Sequence, residues 1–195
     1  MLIVSMSRST IDRSKKQFSF KFEMKDLEEA KKVFGMEIDR DSDSYKVRLT
    51  QKRYLQKVLK KFKINGDTRS VNTLLSSHFK LKVAISPTTV EECQYMSHIS
   101  YANEVGSLMY AIVCTRFDLS QAVSMLSRYM HDPGKSQWEA MKWILWYIKG
   151  TVDVGLVFEK DTNGKKDCTR YADSHYVGDL DKRQFTTEYV FTLSW

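Results

Sequence analysis

The chain is poor in the residue types that staple small folds or ligate metals. Its three cysteines (Cys93, Cys114, Cys168) lie far apart, without the paired spacing of a zinc finger, and its four histidines (His78, His98, His131, His175) are equally scattered. That spacing argues against a disulfide framework and against structural zinc, and fits buried or incidental thiols of a reducing compartment. No apolar run approaches the roughly 20 residues of a membrane span, so no membrane partner is expected. Met1-Leu2-Ile3-Val4 is too short for a signal-peptide core and is closely followed by the polar Ser5. Internal repeats and low-complexity tracts are missing too. What remains is an ordinary globular composition, 42% hydrophobic and 28% charged over 195 residues, enough for one large domain or two small ones.

The charge is unevenly placed. Residues 1–66 hold 17 Lys and Arg against 9 Asp and Glu, whereas the rest of the chain holds 14 against 15, so the first third carries the whole net excess of +7. Clustered cations displace counterions from a phosphate backbone, which makes a polyanion one natural partner for that third. A simple solvated surface accounts for the same composition.

Periodicity divides the chain into recognisable elements. Leu2-Ile3-Val4 reads as a short buried strand, and residues 9–22, with Ile11, Phe18 and Phe22 loosely on one side, as a helix. The period then changes to two. Phe34, Met36 and Ile38 alternate with small or charged residues, as do Tyr45, Val47 and Leu49, around the turn Asp41-Ser42-Asp43-Ser44, which predicts a β-hairpin over residues 33–49. Residues 51–62 form the clearest helix of the first half. Tyr54, Leu55, Val58, Leu59 and Phe62 share one side, while Arg53, Lys57 and Lys60 lie roughly opposite, flanked by Lys61 and Lys63, with no acid in the segment. Asn65-Gly66 is expected to stop it. Such a helix can pack on a core while its basic face touches phosphates; the same pattern also describes an ordinary solvated helix.

Residues 68–87 are loop-like, and three helices follow. Val105, Leu108, Met109, Ile112 and Val113 define the first. The second has Leu119, Ala122, Val123 and Leu126 as its stripe, with Asp118 as N-cap. After the turn at Pro133-Gly134, Ser136 and Glu139 give a capping-box pattern for a third helix that Gly150 can end. Trp138, Met141, Trp143, Ile144, Leu145, Trp146, Tyr147 and Ile148 cover nearly its whole circumference, which predicts deep burial. Beyond Gly150, residues 154–158 and 169–173 flank Asn163-Gly164 and read as a hairpin, with residues 189–193 as a further strand. The fold class is therefore α+β.

Seven stretches, in this order, resemble the copia-type reverse transcriptase family. They are Phe22-Glu23-Met24-Lys25-Asp26-Leu27, Phe34-Gly35-Met36-Glu37-Ile38, Leu49-Thr50-Gln51 with Tyr54, Val105-Gly106-Ser107-Leu108-Met109-Tyr110 and Thr115-Arg116-Phe117-Asp118-Leu119. Trp143-Ile144-Leu145-Trp146-Tyr147-Ile148-Lys149-Gly150-Thr151 follows, then Tyr171-Ala172-Asp173-Ser174 with Gly178-Asp179 and Asp181-Lys182-Arg183. Each alone is weak, and seven in register are strong. The resemblance implies three parts: residues 1–66 as the end of the polymerase palm and thumb, 67–150 as a loop and helical connection region, and 151–195 as the truncated start of a ribonuclease H-like domain. In it the hairpin is the palm edge, the helix with Arg53, Lys57, Lys60, Lys61 and Lys63 is a basic thumb helix, and the terminal sheet is incomplete. The implied partner is an RNA–DNA hybrid or template–primer duplex, weakly bound if at all, together with the rest of the polyprotein.

The resemblance also implies magnesium chemistry and what this chain is expected to lack for it. Asp173 matches the first metal-binding carboxylate of ribonuclease H, so it is both the catalytic and the metal candidate, while Asp179 and Asp181 read as loop residues. The family's Tyr-Val-Asp-Asp turn, which holds the polymerase Mg2+, is expected just upstream of Met1, and further ribonuclease H carboxylates beyond Trp195. Two-metal chemistry needs several carboxylates around two ions about 3.5–4 Å apart, and Mg2+ binds poorly to one exposed Asp. The chain by itself is therefore expected to bind no Mg2+ and to be inactive, either a degenerate polymerase fragment or a basic nucleic-acid-binding module. Several positions depart from the family pattern: Phe117 replaces a proline, Asn72-Thr73 a Thr-Pro, Trp146 a basic residue, His175 an aspartate, and Gln184-Phe185 an Arg-Ser. Glu28 and Glu188 stand where glycine is usual, which predicts local strain, since such glycines often serve a positive φ.

Overall fold

The computed structural model describes residues 3, 5, 7–26, 28–64, 66, 68–75, 89–159, 168–175 and 186–193. Among them are six α-helices: α1 (Arg8–Lys21), α2 (Lys52–Lys61), α3 (Val90–Ser97), α4 (Tyr101–Cys114), α5 (Ser120–Ser127) and α6 (Lys135–Gly150). The strands are β1 (Lys32–Val33), β2 (Met36–Asp41), β3 (Lys46–Thr50), β4 (Leu156–Glu159), β5 (Cys168–His175) and β6 (Thr186–Leu193). An antiparallel sheet runs β1-β2-β3-β4, and β5 with β6 forms a separate two-stranded ribbon. The architecture is mixed α+β.

The hairpin read from the alternation is β2–β3, with Ile38 opposite Leu49 and Arg40 opposite Val47. Its turn is built by Asp41, whose carboxylate accepts from the Asp43 and Ser44 amides and from the Ser44 hydroxyl. Those bonds hold the carboxyl below its ordinary range, the Ser44 hydroxyl first among the causes. The expected hairpin between residues 154–158 and 169–173 is not formed. Instead β4 joins β3, with Leu49 opposite Leu156 and Val47 opposite Phe158, and β5 pairs β6. Gly155 makes the first pairing feasible. A Cβ there would lie 2.3 Å from the Leu49 carbonyl oxygen, so only glycine lets the chain leave α6 and run this close to β3.

The core lies between α2, α4, α5 and α6. Leu55, Val58 and Leu59 meet Val105, Leu108, Ala111, Leu119, Val123, Leu126, Met141, Ile144, Leu145 and Ile148, all buried. Helix α6 departs from its expected full burial. Ala140, Met141, Ile144, Leu145 and Ile148 are buried, but Trp138 and Tyr147 are only half-buried at the edge of the core, and Trp143 and Trp146 are half-buried on the other side. Residues 66 and 68–75 run along that side. Lys149 donates to the Gly66 and Thr68 carbonyls, the Trp143 indole N–H donates to the Thr73 carbonyl at 2.9 Å, and the Arg69 guanidinium lies 4.2 Å from the Trp146 ring centre. Trp143 and Trp146 thus clasp a strap, a role apolar counting cannot separate from core packing.

Helix starts differ in detail from expectation. Asp118 caps nothing: it sits in a 3₁₀ turn (Phe117–Leu119) before α5. The box of α6 is two residues earlier than Ser136–Glu139, because the Gln137 side-chain oxygen accepts from the Gly134 amide at 3.1 Å. Helix α3 was not expected. Its start was legible, since Thr89 and Glu92 are three apart and the Thr89 hydroxyl accepts from the Glu92 amide at 3.2 Å. Helix α1 forms as expected but buries no residue. Of the expected strand, Leu2 and Val4 lie outside the described residues, as does most of the loop 68–87, and Ile3 is in no strand.

Candidate nucleic-acid interface

The cationic helix α2 is positioned from both ends and from beneath. Its buried stripe is Leu55, Val58 and Leu59. At its start, Gln51 is fully buried, and its side-chain oxygen accepts from the Thr115 hydroxyl at 2.8 Å. Tyr54 donates from its hydroxyl to the Ser107 carbonyl at 2.9 Å, and its ring meets Tyr110 edge-on at 5.1 Å. Burial pushes the Tyr54 hydroxyl pKa up. Tyr110 in turn donates to the Phe34 carbonyl at 2.5 Å, where the β1–β2 turn passes through positive φ at Phe34 and Gly35. Four of the stretches that carry the family resemblance meet through these contacts.

The helix ends through a left-handed residue, but that residue is Lys63 rather than Asn65 or Gly66. Lys63 has φ +58°; its amide bonds the Lys60 carbonyl at 3.1 Å, and the Ile64 amide bonds the Leu59 carbonyl at 2.9 Å. This is the two-bond Schellman closure, with a lysine at the position that glycine usually takes. Ile64 packs on the core beside it.

The five candidate cations are all solvent-exposed, and the structure divides them. Arg53 is in an ion pair with Glu37 of β2, Nε to Oε1 at 3.0 Å, and the neighbouring Lys52 pairs with Asp153 at 2.6 Å. These two contacts tie the start of the helix to β2 and to the turn between α6 and β4. Lys57, Lys60, Lys61 and Lys63 make no ion pair among the described residues, although Lys61 lies 5.1 Å from the Phe62 ring centre. The last turn is therefore the open part of the face. Beneath it stands Glu104 of α4, 3% exposed, with one carboxylate oxygen unpartnered. Burial pushes its pKa up to about 8, against the opposing pull of Lys61.

A second polar cluster, which residue patterns did not reveal, fixes the far side. Arg116 is fully buried and grips Asp118 with two bonds, 2.9 Å from Nε and 2.8 Å from Nη2. It also donates to the Thr151 carbonyl at 3.1 Å and the Thr151 hydroxyl oxygen at 2.9 Å, while Tyr147 donates to Asp118 at 3.2 Å. The stretch Thr115–Leu119 thus binds the end of α6 to the start of α2. Its recognisable Arg and Asp are structural, and the only sequence signal was their place in a family stretch.

Asp173 stands in β5, opposite Glu188 of β6 in register. Its side chain, like Asp179 and Asp181, lies outside the described residues. Among the described residues no three His, Cys, Asp or Glu side chains stand together as a metal-holding group. Of the two acids at glycine positions, Glu28 has φ +61°, the conformation the missing glycine would have taken without strain. Glu188 sits in regular ribbon pairing. No described helix is long and apolar enough to cross a membrane.

Residues 1–76 match the family model described as reverse transcriptase (RNA-dependent DNA polymerase). The whole chain is 42% identical to the retrovirus-related Pol polyprotein from transposon TNT 1-94 of Nicotiana tabacum, covering 14% of that protein. It is 31% identical over 90% of its length to the Pol polyprotein from transposon RE2 of Arabidopsis thaliana, covering 11% of it. Half of the chain (51%) is also 36% identical to the secreted RxLR effector protein 161 of Plasmopara viticola, covering 68% of that protein. No solved structure matches. The chain thus spans a small part of the Pol polyproteins it resembles end to end, and it belongs to the copia-type retrotransposon Pol polyprotein family, with reverse transcriptase sequence in its first third.

Proposed function

We propose that this chain is the palm-edge, thumb and connection part of a copia-type reverse transcriptase running into a ribonuclease H-like ribbon, and that α2 carries template–primer duplex on its cationic face. The observation that supports this most is the division within α2. One side is buried as Leu55, Val58 and Leu59, and the other shows Lys57, Lys60 and Lys61 to solvent without an ion-pair partner among the described residues. The Gln51 and Tyr54 hydrogen bonds hold that face at a fixed angle to α4. A preset row of cations suits a regular phosphate backbone, whose neutralisation releases counterions. In this reading Asp173 is the first ribonuclease H carboxylate, and Mg2+ belongs to the intact polyprotein. The chain by itself then binds hybrid without extending a primer.

The test is fluorescence anisotropy of a labelled RNA–DNA hybrid against the native chain across a salt series. Each phosphate neutralised contributes about −0.9 to the log–log salt slope. Changing Lys57, Lys60 and Lys61 together to Gln should flatten the slope by roughly 2–3 and weaken binding for every sequence alike. An unchanged slope and affinity in the folded variant would remove α2 from the interface.

A further inference from the structure

The β5–β6 ribbon carries a cluster that the α2 reading does not use. On a strand, residues two apart share a face. Tyr189 and Phe191 of β6 therefore stand side by side, and the register places Ala172 opposite Tyr189 and Arg170 opposite Phe191. Both rings are open to solvent, Tyr189 at 51% and Phe191 at 60% exposure. The Arg170 guanidinium lies 4.3 Å from the Tyr189 ring centre and 5.9 Å from that of Phe191. The small Ala172 leaves the side of Tyr189 away from Arg170 uncovered by its cross-strand partner.

From this cluster we infer that the Arg170–Tyr189–Phe191 face of the ribbon is a stacking platform for single-stranded nucleic acid. The chemistry decides the class of ligand. Two exposed aromatic rings, about 7 Å apart along the strand, offer two stations for unpaired bases, whose π-faces stack irrespective of sequence. The guanidinium between them adds a positive charge and a planar surface of its own, which suits a base carrying a phosphate and not a neutral apolar peptide. A duplex keeps its bases stacked inside and cannot use such rings, so this face complements α2 rather than extending it. The inference does not rest on α2 binding anything.

The experiment compares two labelled 12-mers on the native chain by fluorescence anisotropy: oligothymidylate, and an abasic strand with the same number of phosphates. Stacking on the platform makes the oligothymidylate bind at least fivefold tighter, the low end of what one stacked base is worth. The double variant Tyr189→Leu with Phe191→Leu, which keeps the ribbon apolar, brings that ratio close to one and leaves abasic binding unchanged. Tyr189→Phe retains the ratio. Equal affinity of the native chain for the two strands overturns the proposal, whether or not the variants fold. So does a ratio that survives the double substitution. Concentration-dependent self-association that the same substitution abolishes, with no preference for bases, would assign the face to a second copy of the chain instead.

Discussion

Two polar regions flank the start of the connection between helices and sheet, and they differ in nearly every respect. Around Arg116 the polar groups are buried, mutually bonded and short-ranged: one guanidinium meets Asp118 twice and Thr151 twice. Along the last turn of α2 they are exposed, of one sign and unpaired among the described residues. The first region has spent its hydrogen-bonding capacity on the fold, whereas the second has kept its charge available. Recognisable motif residues gather in the first, and the candidate binding residues in the second. A stretch that identifies a family is thus no guide by itself to where chemistry occurs, because buried polar joints constrain sequence as strongly as a binding site does.

The sharpest way to break this contrast is to open the joint. Asp118→Ala leaves the fully buried Arg116, among the described residues, with only the two Thr151 oxygens as hydrogen-bond partners. Removing one member of such a pair costs about 3–5 kcal/mol, because the remaining charge stays in a dry site. Urea unfolding should show a loss of about 3 kcal/mol, somewhat below the top of that range because Thr151 persists. A loss under about 1 kcal/mol would mean that the Arg116 cluster is no more structural than a surface pair.

A smaller effect should link the two regions through pH. The Glu104 carboxyl is raised from 4.5 to about 8 by burial beneath the last turn of α2, with Lys61 pulling the other way. Between those two values the folded chain holds a proton that the unfolded chain has released. Stability must therefore fall as pH rises from about 4.5 to about 8 and level off above, by an amount on the order of a few kcal/mol. Glu104→Gln should flatten this decline and unfold later than the native chain at pH 9. Parallel urea midpoints for the two proteins at pH 5, 7 and 9 would show instead that Glu104 does not govern the window.

How much of this was legible in the sequence depended on the range of the interaction that decides each feature. Local features were read correctly: the Asp41 turn, the β2–β3 alternation, the apolar stripe of α2 and the positive φ under Glu28. Each is settled within a few residues. The partner of β4 was not, because its choice rests on Gly155 approaching Leu49, more than a hundred residues away. Nor was the ion-paired state of Arg53, since Glu37 lies on a different strand and composition counts both as free charges. The tryptophans of α6 misled for a related reason: half-buried aromatics over a strap and fully buried ones have the same letters.

The finest test of the contrast is at Lys63, where fold and face make opposite demands. Its φ of +58° closes the Schellman turn of α2, a position where glycine carries no Cβ strain. Lys63→Gly should therefore stabilise the chain by about 1 kcal/mol. The same change removes one cation from the open end of the face, which should flatten the salt slope for RNA–DNA hybrid by about 0.9. Glu28→Gly is the control, because Glu28 has φ +61° but belongs to no cationic face. It should give a similar gain in stability with the salt slope unchanged. If Lys63→Gly gains stability and leaves the slope untouched, the lysine is merely a poor cap, and the cationic face ends at Lys61. If it loses stability, the strain assigned to this turn is absent, and Lys63 contributes to the fold through contacts its exposure does not reveal.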